Sequence, residues 1–139
     1  MFIYEYNLET GETKNLTAYN VGYDTQPAFS SKGRLAWLQM KREGYESDKN
    51  DLIIFIDEKP VNLTASWDGT VNGFTWSNSG KNIYFNAPVG GTVHLFKIDI
   101  PKSAEKITLP QQITKGQFDI RGIVGEYKKM MVVSRGDMN

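Results

Sequence analysis

The stretch "FTWSNSGKNIYFNA" (residues 74–87) has a fainter double at "PAFSSKGRLAWLQM" (residues 27–40). Each carries an aromatic residue and a serine, two further residues, a glycine, a basic residue and then a hydrophobic run. Phe29-Ser30 and Trp76-Ser77 lie 47 residues apart, and Gly33 and Gly80, Arg34 and Lys81, and Trp37 and Tyr84 keep that offset. Leu16-Thr17 and Leu63-Thr64 are also 47 apart, and Ile113-Thr114 follows 50 residues after the second pair. A fixed period of this kind means that one supersecondary unit is written several times, each copy burying its apolar face against the next.

Between these marks the chain alternates short apolar runs with turn residues. "FIYEYNL", "RLAWLQM", "DLIIFID", "NIYFNA", "VHLFKIDI" and "KMMVVS" are rich in Ile, Val, Phe and Tyr and are bounded by Gly, Asn, Asp, Ser or Pro. Leu8–Glu12 (LETGE) and Ser77–Lys81 (SNSGK) fit hairpin turns, with glycine available for positive φ. No dozen-residue window holds a helical apolar period. The expectation is an all-β chain. A repeat of ~40–50 residues with about four strands is the signature of a β-propeller blade. The aromatic-Ser segment would then be the innermost strand of a blade, and the segment ending in Leu-Thr the outermost. This predicts a partial β-propeller of four-stranded antiparallel blades: an outer half blade at 2–16, blades at 18–64 and 65–114, and an inner half blade at 117–136. Phe29, Trp37, Trp76, Tyr84 and Phe85 are expected to be buried within or between the sheets.

Composition narrows the function. The 139 residues are 40% hydrophobic and 12% aromatic, enough for an ordinary core. Sixteen basic and sixteen acidic residues cancel, so no strong field favours nucleic acid or an anionic membrane. There is no cysteine, which rules out disulfides, thiolate catalysis and cysteine-based zinc sites. No apolar run approaches the roughly 20 residues of a membrane span. The chain starts inside a segment that reads as a strand, as expected of a piece of a longer protein.

The Trp-Ser-x-x-Gly-Lys-x-Ile-Tyr-Phe core (residues 76–85) resembles the propeller repeat shared by TolB-type proteins and prolyl oligopeptidase-family serine peptidases, with Asn78-Ser79 standing where that repeat has Pro-Asp. "MKREGYESDKNDL" (40–52) and "QITKGQFDIRGI…MMVVSRGDMN" (112–139) resemble segments of the acylaminoacyl-peptidase and dipeptidyl-peptidase 5 branch. The resemblance covers essentially the whole chain. It implies an N-terminal propeller that gates and selects peptide substrate for a C-terminal α/β-hydrolase domain outside this sequence. A TolB-like module that binds a protein or peptide, with no enzyme attached, is the alternative.

The chain itself carries no nucleophile elbow of the form Gly-x-Ser-x-Gly. Its one histidine, His94, lies in a strand-like run and reads as structural. No catalytic residue, cofactor or metal site is therefore expected; Asp48, Asp51 and Asp57 lack calcium-loop spacing. Asn15-Leu16-Thr17 and Asn62-Leu63-Thr64 match a glycosylation pattern but are the repeat mark itself. The loop "KREGYESDK" (41–49) and the turn "SWDGTV" remain as substrate-facing candidates, through Arg42, Glu43, Tyr45 and Trp67. An acidic anchor for a peptide amino terminus, as in related dipeptidyl-peptidases, is not carried over, because Glu43 and Glu46 are not adjacent. Two copies could also pair half blade to half blade, giving a homodimer.

Overall fold

The computed structural model describes residues 1–41 and 49–137. Among the described residues twelve strands follow one another: β1 (Tyr4–Tyr6), β2 (Thr13–Asn15), β3 (Tyr23–Phe29), β4 (Leu35–Met40), β5 (Asn50–Ile56), β6 (Lys59–Asn62), β7 (Gly73–Trp76), β8 (Asn82–Val89), β9 (Thr92–Asp99), β10 (Gln111–Gln112), β11 (Phe118–Tyr127) and β12 (Met130–Asp137). Among the described residues the only helical element is a single 3₁₀ turn at Ala104–Lys106. The strands form two four-stranded antiparallel meanders, β3-β4-β5-β6 and β7-β8-β9-β10, flanked by the pairs β1-β2 and β11-β12.

The sequence marks are local hydrogen-bond devices. In the aromatic-Ser-x-x-Gly mark the glycine N–H donates to the serine carbonyl, Gly33 to Ser30 and Gly80 to Ser77, both at 3.0 Å. Both glycines sit at positive φ, +82° and +73°, which closes the turn between the first and second strands without a Cβ penalty. The Leu-Thr mark closes the outer side of each sheet. Leu16, Leu63 and Ile113 donate backbone N–H bonds of 2.7–2.8 Å to Ile3, Leu52 and Leu95. In return, the N–H groups of those three residues donate to Thr17 Oγ1 (2.9 Å), Thr64 Oγ1 (3.1 Å) and Thr114 Oγ1 (2.9 Å). The asparagine two residues before Thr17 and Thr64 accepts that threonine's N–H through its side chain. Asn-Leu-Thr is thus a latch, and Thr17 and Thr64 are fully buried.

Strands β4 and β5 are apolar on both faces because both faces are covered. Ala36, Leu38, Leu52, Ile54 and Ile56 join Val71, Trp76, Ile83, Phe85, Phe96 and Ile98 in one core between the two meanders. The alternate residues Leu35, Trp37 and Ile53 pack with Ile3 beneath β1-β2. This is the period-2 alternation of a strand, repeated on two buried sides.

Like positions touch across the repeat. Ser31 Oγ donates to the Asn78 carbonyl (2.9 Å), 47 residues on, and Asn78 N–H donates to Glu126 Oε1 (2.8 Å), 48 residues further. Strands β3, β7 and β11, the first of each unit, neighbour one another. Trp37, Trp76 and Phe85 are buried as expected, and Tyr84 is half-buried. Phe29 departs from the expectation: it is 67% exposed. Its repeat partner Trp76 shows why. The Trp76 indole reaches back onto the preceding sheet and donates to the Ala28 carbonyl (3.0 Å). Phe29 would reach back the same way, but before it the described chain offers only β1 and β2.

Candidate functional site

Of the four substrate-facing candidates, Arg42, Glu43 and Tyr45 lie outside the described residues. Trp67 is half-buried. Its ring stands edge-on to Phe85 and Phe96 at centroid distances of 5.4 and 5.3 Å, and those two rings stack on each other at 5.3 Å. Its carbonyl accepts from Lys49 Nζ, which also forms a 3.0 Å ion pair with Asp51. A Cβ on Gly69 would overlap the indole, so the Trp-Asp-Gly turn is shaped to fold the ring down. Trp67 therefore packs between the sheets and lines neither of the two cavities described below.

His94 is buried and fully engaged. Its Nδ1 lies 2.9 Å from Thr114 Oγ1, and its Nε2 lies 2.9 Å from Thr92 Oγ1 and 3.1 Å from the Gly116 carbonyl. A carbonyl only accepts, so Nε2 carries a proton. The imidazole completes the latch of its sheet in the place that Asp51 holds in the preceding one, where Asp51 Oδ1 accepts from Thr64 Oγ1 at 2.7 Å. Asp51 also accepts from Asn62 at 2.9 Å. Among the described residues no group of three or more His, Cys, Asp or Glu side chains is arranged to hold a metal.

The concavity with chemical character lies between the first strands of the units. It encloses about 420 Å³, and its wall includes Gln26 of β3, Gly73 of β7, Asn86 of β8, and Ile120 and Arg121 of β11. Two of these residues stand at β-bulges. In β3, Thr25 pairs with Leu38 and Ala28 with Ala36, which leaves one residue too many around Gln26-Pro27. In β11, Ile120 pairs with Arg135 and Gly122 with Ser134, so Arg121 is the extra residue. A bulge bends its strand and re-aims a side chain.

The bulge of β3 is held open by its surroundings. Gln26 sits at φ +54°, in the left-handed region that costs an L-residue roughly 1–2 kcal/mol. Two residues earlier, buried Asp24 accepts from Trp37 Nε1 (3.2 Å), Gln39 Nε2 (3.0 Å) and Asn20 Nδ2 (3.1 Å), which pins the start of the strand. Gln39 also donates to the Tyr19 hydroxyl (2.7 Å). Partial burial pushes that hydroxyl above its ordinary value; the Gln39 bond opposes the shift and the Asp24 charge adds to it. The β11 bulge is clamped on its N-terminal side, where Asn86 Nδ2 donates to the Ile120 carbonyl (2.9 Å) and Asp119 accepts from Val93 N–H (2.8 Å). Sequence reading did not single out Gln26 or Arg121. The available signal was Pro27 within a strand, which confines that strand to an edge or a bulge.

A second cavity, of about 700 Å³, lies between β1-β2 and the first meander and is lined in part by Leu16, Phe29, Arg34 and Phe55.

Sheets of four antiparallel strands, stacked through like positions with their first strands adjacent, are the blades of a β-propeller, here a partial one. Solved structures agree. The Pyrococcus horikoshii acylaminoacyl peptidase superposes with a TM-score of 0.69 at 19% identity, over 96% of this chain and 19% of that one. The β-propeller domain of the trilobed protease from Pyrococcus furiosus gives 0.66 at 19%, over 98% and 38%. In sequence, the chain is a relative of the dipeptidyl-peptidase 5 proteins. It is 37% identical over 120 residues to that of Porphyromonas gingivalis and 41% over 123 residues to that of Porphyromonas endodontalis. These matches take in 84% and 86% of this chain and 17% of each relative. No family model matches the chain. The resemblance to the acylaminoacyl-peptidase and dipeptidyl-peptidase 5 branch is borne out.

Proposed function

We propose that this chain is a non-catalytic propeller segment of a serine exopeptidase, shaping the route by which peptides reach a hydrolase domain. The observation that carries this reading is the 37–41% identity to dipeptidyl-peptidase 5 proteins, which runs through both meanders. In its support, the sequence has no Gly-x-Ser-x-Gly, and the imidazole of its one histidine is spent on the latch of its own sheet. Within the proposed propeller, residues 2–16 act as an outer half blade, 18–64 and 65–114 as blades, and 117–136 as an inner half blade. The axial wall formed by β3, β7 and β11 is where the gate lies, because substrate that enters through a propeller must pass its first strands.

The test is to express the longer protein that carries this chain and assay it on dipeptidyl and acylaminoacyl chromogenic substrates. Hydrolysis is expected, together with poor cleavage of folded proteins. Equal rates on folded and unfolded versions of one protein would overturn the gating reading.

A further inference from the structure

We propose that the cleft between the first strands binds the carboxylate of a peptide chain, with Arg121 supplying the charge and Gln26 and Asn86 receiving the neighbouring N–H groups. The ligand class rests on the peptidase reading; the pocket's own chemistry does not. Gln26 and Arg121 both stand at bulges, one in each of two sheets, and both line this cleft. Gln26 additionally holds a positive φ. Strain of this sort persists where the surroundings fix it, and it concentrates at binding sites.

The polar groups are of complementary kinds. Gln26 Nε2 is committed to the Asn72 carbonyl (3.2 Å), and Asn86 Nδ2 to that of Ile120 (2.9 Å). Their carbonyl oxygens remain, and both face the bare Cα of Gly73. A Cβ there would stand 3.4 Å from Asn86 Oδ1 and 3.6 Å from Gln26 Oε1. Two acceptors thus converge on one spot. Arg121 lines the same cleft as these two amides, and its guanidinium lies against Gly136 of β12, where a Cβ would overlap it. Among the described residues no carboxylate comes within 4.0 Å of it. A planar guanidinium matches a carboxylate in two parallel hydrogen bonds. Paired acceptors call for N–H donors, which a peptide has and a phosphate lacks. About 420 Å³ accommodates a short peptide end rather than a folded domain.

The experiment uses the longer protein that carries this chain, with calorimetric titration of three matched tripeptides: a free acid with neutral side chains, its C-terminal amide, and an amide bearing one glutamate. The free acid should bind about tenfold tighter than the neutral amide, a factor equal to ~1.4 kcal/mol. The gap should narrow as salt is raised from about 50 to about 500 mM, since the site is open to solvent. Arg121→Gln should abolish the gap, and Arg121→Lys should keep part of it. If the glutamate amide matches the free acid, a side-chain carboxylate serves as well; if it matches the neutral amide, the terminal carboxylate is the ligand. An acid-to-amide ratio of one in the parent protein, or a ratio unchanged in a folded Arg121→Gln variant, overturns the proposal. Absence of any peptide hydrolysis would remove the peptidase reading, yet the ratio would still report on the pocket.

Discussion

Replacing Thr64 by valine removes one oxygen and keeps the shape of the side chain. Thr64 is fully buried, and its Oγ1 accepts from Leu52 N–H at 3.1 Å and donates to Asp51 Oδ1 at 2.7 Å. In the variant the Leu52 N–H, within a buried strand, has no acceptor. An unsatisfied buried donor costs about 1–3 kcal/mol. Asp51 loses one of three partners and keeps Lys49 at 3.0 Å and Asn62 at 2.9 Å, so its share is at the low end, about 1 kcal/mol. The added methyl returns up to about 0.8 kcal/mol of apolar burial. The net loss expected is about 1–3 kcal/mol. Thr17→Val removes the single acceptor of Ile3 N–H and should cost less, about 1–2 kcal/mol. Urea unfolding followed by tryptophan fluorescence measures both, with an unchanged slope showing that only stability has moved. A Thr64→Val loss below about 0.5 kcal/mol, or a larger loss at Thr17, would refute the latch as the reason for the Leu-Thr mark.

Trp76→Ala should cost about 3–5 kcal/mol as a core aromatic truncation, and Trp76→Phe about 1 kcal/mol for the lost bond to Ala28; urea melts check both. Asp57 and Glu58 both take positive φ in the β5–β6 hairpin, so Asp57→Asn with Glu58→Gly should raise stability by about 0.5–1 kcal/mol, read as a higher melting temperature. The outer edges of β1 and β12 carry no partner strand among the described residues, and Phe29 is exposed nearby in the second cavity. The chain expressed alone should therefore pair half blade to half blade, giving twice its 15.7 kDa in light scattering, and deletion of residues 1–16 should return it to the monomer. A monomer at about 100 μM would defeat this pairing.

The architecture was legible because the repeat marks are hydrogen-bond devices rather than loose propensities. Ser30 and Ser77 accept their turn's glycine N–H, and Thr17, Thr64 and Thr114 accept a strand N–H, so each mark must recur wherever the unit does. The alternation of Leu35 and Trp37 against Ala36 and Leu38 likewise announced strands buried on two sides. Phe29 misled because its residue type matches Trp76, yet it is exposed, with only β1 and β2 before its sheet among the described residues. The cleft was less legible. Gln26 and Arg121 owe their aim to one-residue register breaks, and a bulge depends on pairing with a distant strand that local sequence does not record. Trp67 looked open because Asp68 and Gly69 follow it, yet Gly69 is what lets the ring fold against Phe85 and Phe96.

The most direct test of the central claim is fluorophosphonate labelling of two samples, the 139-residue chain alone and the longer protein proposed to carry it, each followed by peptide mapping. The account predicts no label on any serine of this chain and stoichiometric label on one serine of the longer protein, outside these residues, accompanied by release of dipeptides. A labelled serine within residues 1–139, or a longer protein that neither takes the label nor cleaves peptides, would contradict it.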